Sequence, residues 1–290
     1  MSFLPFLIPI NYCYRAYQSV CTKNLIEEVD ASGKWVSLQK GTSRYNEAIK
    51  QVPGHIIKEE LQPFFEELEV RNDLIVSESL KKGFGAAYGN NFCIKGDAAI
   101  ILKPNFRAID KDACHWTVMH EASHIKNSDS FTRNSVPAVC TLAAAIFTTV
   151  TVPMPVVVSM LATSAIGFVT RSALTQYRER KADDLANAKS TDDQLKGGRR
   201  ILLSVQAFNV EKKTTTAWGR VMVSSSGENR LDIEHPSLKS RIQKVERALE
   251  QRNVFVDARD ESVKIDRLKK FFSNVQSQIE RELEKTESVR

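Results

Sequence analysis

Residues 134–170, NSVPAVCTLAAAIFTTVTVPMPVVVSMLATSAIGFVT, carry no charged side chain. A run of that length and composition has to be buried, in protein or in lipid. Pro153 and Pro155 divide it into two apolar halves, because proline interrupts a helix. Each half would be about 25 Å long as a helix, at the short edge of a membrane span. Two such helices joined by a proline turn form a hairpin. Its Ala, Thr and Val content suits a hairpin inside a soluble core. Its length and lack of charge suit one embedded in a membrane, which is the expectation adopted.

A hairpin returns its two flanks to the same side. The flank before it holds TVMHEASHIKNSD, residues 117–129. Residues four apart on a helix share a face, so His120 and His124 can aim two imidazoles at one ion. Glu121 lies at the edge of that face, where it can reach a metal-bound water without ligating the metal. That division of labour is the zinc peptidase pattern. The flank after the hairpin reads YRERKADDLA. Glu179 is its candidate third ligand. Asp183, four residues on, shares that face and can accept the spare N–H of a ligand histidine. One Zn²⁺ held by His120, His124 and Glu179, with a position left open, is the expected cofactor.

The rest of the chain frames this pair of helices. Pro63 should end or kink a helix. Four glycines within residues 83–96 predict turns and short strands. The apolar run before Pro104 predicts a strand over Ala98–Leu102. Asp110 or Asp112 should cap the motif helix, taken to run to Arg133. A charged helix should start at Arg171, and residues 211–230 read as a polar loop. Ile242, Val245 and Leu249 recur at helical spacing in a mixed-charge tail. The apolar N-terminal stretch, MSFLPFLIPI, is either a buried segment or an interfacial anchor.

Net charge is +6, mild and spread along the chain. It fits an anionic membrane face, and no basic tract with interleaved aromatics speaks for nucleic acid. The five cysteines, Cys13, Cys21, Cys93, Cys114 and Cys140, form no CxxC pair and read as free thiols in a reducing compartment.

The order HEASH, apolar hairpin, ERKAD, then HPSLKSR resembles the membrane-linked zinc metalloproteases of the HtpX and CAAX-prenyl-protease type, over roughly residues 75–250. In that family HExxH is followed by an ExxxD motif whose glutamate is the third ligand, and by a His-Pro with an arginine six residues after the histidine. The resemblance implies a mainly α (α+β), zincin-like metalloprotease domain over residues 1–290, with the hairpin inserted between the metal-binding helices. It implies Glu121 as base, His235 as donor to the oxyanion, and Arg241 as a further active-site residue. It also implies that Ala98, Ala99, Ile100, Ile101 and Leu102 form an edge strand that binds a peptide substrate by strand addition. The sequence departs from HtpX in offering only MSFLPFLIPI where those proteins carry a pair of N-terminal spans. It is shorter than the many-spanned CAAX-prenyl proteases.

The expected function is a zinc-dependent endopeptidase acting at or near a membrane. Basic residues flanking the hairpin, such as Lys126 and Arg171, put its catalytic domain on the cytoplasmic side. The expected partners are a peptide substrate and membrane lipid. The alternative is a catalytically inactive, membrane-associated interaction protein on the same fold.

Overall fold

The computed structural model describes residues 3–21, 27–29, 35–37, 42–51, 54–79, 85–92, 98–152 and 154–287. Cys93, Pro153 and part of the glycine-rich stretch 83–96 lie outside the described residues. Helices dominate, with one three-stranded sheet and one two-stranded ribbon among the described residues.

Helix α1 (Leu7–Val20) is followed by the ribbon of β1 (Glu27–Val29) and β2 (Trp35–Ser37), then by α2 (Ser43–Gln51). Helices α3 (His55–Glu60) and α4 (Gln62–Glu67) meet at Leu61, with Pro63 in the first turn of α4, where its missing N–H costs nothing. The sheet holds β3 (Ile75–Glu78), β4 (Ala86–Tyr88) and β5 (Ala99–Leu102) in the order β3–β5–β4.

This order corrects one expectation. Strand β5 is central, parallel to β3 on one side and antiparallel to β4 on the other. Ala98, Ile100 and Leu102 face the main core, while Ala99 and Ile101 pack with Tyr45 on the other face. None of the five is more than 3% exposed, so they do not form a substrate-binding edge. A continuous apolar run is what burial on both faces demands. The strand beside the metal-binding motif is β4.

Helix α5 (Phe106–Ile109) leads to α6 (Lys111–Lys126), whose cap is Asp110, accepting from the Ala113 N–H. Nearly every residue of α6 is buried. It ends earlier than the sequence suggested. Ser128 takes a left-handed conformation (φ 54°), and α7 (Asp129–Ile146, with a further turn to Thr151) starts on a new axis. Helix α8 (Val156–Lys189) runs unbroken from the hairpin tip through Glu179. No helix starts at Arg171, because only composition changes there. Helices α9 (Asp192–Thr215), α10 (Ala217–Met222), α11 (Leu238–Gln251) and α12 (Ala258–Glu287) complete the chain. Most of the expected loop 211–230 is therefore helix or turn. The hydroxyls of Thr214 and Thr215 donate back to the Glu211 carbonyl (2.8 and 3.0 Å), which lets α9 run on through a threonine cluster.

The hairpin is packed inside out by the standard of a soluble core. Thr141, Thr148, Ser159, Thr163 and Gly167 fill the seam between α7 and α8, and Thr148 Oγ1 lies 2.5 Å from Ser159 Oγ. The outer faces present Val139, Val157 and Leu161, each about two-thirds exposed. Helix α1 lies along α7, burying Pro9 and Ala16 on that side and showing Leu7, Ile10 and Tyr14 to the outside. Two helices of this group are long and apolar enough to cross a membrane.

Candidate metal centre

Helices α6 and α8 cross where the motif residues sit. His120 Nε2 and His124 Nε2 are 3.1 Å apart. Glu179 Oε2 lies 3.3 Å from His120 Nε2, and its Oε1 lies 3.3 Å from His124 Nε2. His120 and Glu179 are buried and His124 is half-buried. The three residues form a group that can hold one metal ion.

The donor set itself tests whether a metal fits. His120 Nδ1 is 3.0 Å from Asp183 Oδ1, and His124 Nδ1 is 2.8 Å from Asp129 Oδ2. The Asp129 carboxylate, hydrogen-bonded to His124 Nδ1, places that ring proton there, and Asp183 faces the Nδ1 side of His120. Both Nε2 lone pairs and the Glu179 oxygens then converge on one point. Such a cluster of acceptors repels itself unless a cation or a proton lies among them. Donors about 2 Å from a shared ion, in tetrahedral array, are about 3.3 Å from one another. The observed separations fit that arrangement.

The protein's own charges act strongly here. Burial pulls the His124 imidazole down, but Asp129 and Glu179 outweigh it and raise it to about 10. His120 is likewise opposed by burial and raised on balance by Asp183 and Glu179. A metal would have to displace the protons these carboxylates favour. Burial pushes the Glu121 carboxyl up, with the two histidines pulling against it.

Glu121 faces the cavity beside the ligand group and accepts from the backbone of Ala87 on β4. Gly85 opens that strand with φ +51°, and a Cβ there would come within 2.9 Å of the Thr117 methyl. Glycine therefore lets β4 lie close over α6. His235 Nε2 is 3.8 Å from Glu179 Oε1. Its Nδ1 is 2.9 Å from Asp232, which is the chief reason its pKa is raised. Arg241 directs its fork at Asp183, at 2.8 and 2.7 Å. Arg241 thus steadies the carboxylate behind His120 through its Nε and one Nη.

The sequence reading missed Asp129. It is five residues past His124, beyond a helix break that residue types did not announce. It also missed Trp116, whose ring stacks on His120 at 5.7 Å and donates to Asn187.

The fold and site define a mostly helical protein with a buried His, His, Glu group able to hold one metal ion. No protein-family model matches this chain, and neither a curated protein nor a solved structure does.

Proposed function

We propose that this chain is a zinc-dependent endopeptidase acting at or near a membrane, of the HtpX and CAAX-prenyl-protease type its motifs resemble, on a zincin-like domain. The observation that carries the reading is the convergence of His120, His124 and Glu179 at 3.1–3.3 Å, with Glu121 beside them on the cavity side. Two histidines and one carboxylate with an open position are a catalytic zinc set. When bound, zinc polarises a carbonyl and lowers the pKa of water.

The chain's own residues supply the remaining steps. Glu121 takes the proton of the attacking water and returns it to the leaving amine. Its burial favours the protonated form, which suits an acid that must give the proton back. His235, held by Asp232, donates to the oxyanion that develops on the scissile carbonyl. Asp183 and Arg241 position His120. Strand β4, in place of the central β5, receives the substrate as an added strand, because it flanks the sheet and borders the cavity beside Glu121. The outward apolar faces of α1, α7 and α8 support a membrane location, and the basic hairpin flanks support a catalytic domain facing the cytoplasm.

The test is bound metal and hydrolysis measured together. Detergent-purified protein should carry one zinc per chain, and Glu179→Ala should lose it. Glu121→Gln should keep the zinc and lose hydrolysis of a peptide library by about 10²–10⁴-fold. Zinc held equally with and without Glu179 would remove it from the ligand set. Normal cleavage by Glu121→Gln would remove it as base.

A further inference from the structure

The other arginines that line the cavity, Arg178 and Arg241, are ion-paired. Arg178 lies 2.9 Å from Asp129, Arg171 lies 2.9 Å from Glu234, and Arg241 lies 2.7 Å from Asp183. Glu179 serves the two histidines. Arg133 lines the same cavity of about 460 Å³. It has no acidic partner among the described residues, and its Nε, like those of Arg171 and Arg178, is buried without a hydrogen bond. A guanidinium at the cavity wall with no carboxylate partner among the described residues is a donor fork open to an anionic ligand.

Its place in the fold says where that anion comes from. Arg133 sits on α7 one turn beyond Asp129, whose carboxylate holds His124. One turn is about 6 Å along the helix, toward the start of the uncharged run at Asn134. An extended peptide covers that distance in about two residues. The planar fork of arginine matches a carboxylate bidentately.

We infer that Arg133 is a specificity-determining residue that binds a carboxylate of the peptide substrate, about two residues from the scissile bond on the side toward the hairpin. The inference rests on the endopeptidase reading. The carboxylate is either an Asp or Glu side chain or the substrate's free C-terminus, and the experiment separates the two.

The probes are peptides of one length carrying a single Glu or Gln at successive positions, each as C-terminal acid and amide. Their binding is measured to zinc-loaded Glu121→Gln protein in phosphatidylcholine vesicles, with Arg133, Arg133→Lys or Arg133→Gln. One Glu position should bind about tenfold to a hundredfold tighter than Gln. Arg133→Gln should abolish that preference, and Arg133→Lys should keep part of it. A preference that follows the free acid instead identifies the C-terminal carboxylate as the group bound. Equal binding of all peptides to all three proteins overturns the inference. So does an effect of Arg133→Gln seen only when phosphatidylglycerol is added, since the arginine would then face lipid phosphate. Cleavage by the Glu121 protein is scored separately. Binding preference with no cleavage of any peptide would sink the endopeptidase reading and leave the carboxylate site. Cleavage without preference would do the reverse.

Discussion

Two carboxylates decide how this site meets a metal, and only one of them was found in the sequence. Asp183 stands four residues from Glu179 on one helix, a spacing that can be read directly. Asp129 reaches His124 only because Ser128 turns the chain into a left-handed conformation between two helices. Asp129→Ala would strip the acceptor from His124 Nδ1 and leave Arg178 unpaired. Zinc affinity should fall about 10–100-fold, measured by competition with a chromophoric chelator, and Asp129→Asn should recover part of it. An unchanged affinity would mean that His124 is oriented by other contacts. The same carboxylates set a pH dependence. A histidine raised to about 10 on folding stabilises the metal-stripped protein fully below its unfolded value of about 6.5. That contribution is lost as pH rises through the folded value. Zinc needs neutral imidazoles, so its affinity moves the opposite way. The gap in Tm between zinc-loaded and chelator-stripped protein should therefore widen between about pH 6 and pH 9. A gap that narrows would contradict the ligand assignment.

At the scale of elements, the glycine pair on α9 brings that helix against α6. A Cβ on Gly197 would meet the backbone of Asp112 and Ala113 at 2.4 Å. A helical Gly→Ala change ordinarily stabilises by up to about 1 kcal/mol. Gly197→Ala should instead destabilise by about 1–3 kcal/mol, because the helices must separate. Denaturant unfolding reads the sign, and a stabilised variant would show that α6 and α9 do not approach so closely. Legibility divided along similar lines. The motif helix, its Asp110 cap and the Ile242, Val245, Leu249 face were readable because period and capping are local properties. The continuity of α8 was not, because a shift from apolar to charged composition at Arg171 resembles a boundary yet breaks no backbone hydrogen bond. The threonines near residue 215 misled for a related reason: their hydroxyls bond back to the Glu211 carbonyl within the helix, so they do not break it. The central place of β5 had a signal in its unbroken apolar run, but pairing order depends on strands distant in sequence.

Across the whole molecule, α8 ties the hairpin rigidly to the metal group. Glu179 stands about 13 Å of helix beyond Thr170, the last residue of the uncharged run. If the hairpin lies in lipid, the metal group lies within about 13 Å of helix of the membrane boundary. Everything in that geometry depends on what covers the outer faces of α1, α7 and α8. Small and hydroxylated residues in the seam with branched apolar residues outside is the arrangement expected of helices packed in lipid. Leu142 and Leu161 are both exposed on those outer faces. A lysine at mid-bilayer costs about 2.5–3.5 kcal/mol. The wild-type protein should stay with membranes through an alkaline carbonate wash. The Leu142→Lys, Leu161→Lys double variant should be released, while its zinc content in detergent matches the parent because neither side chain lines the metal cavity. If carbonate releases the wild type just as readily, protein covers these faces instead of lipid. The metal centre would then stand as described, but its placement beside a membrane would fall.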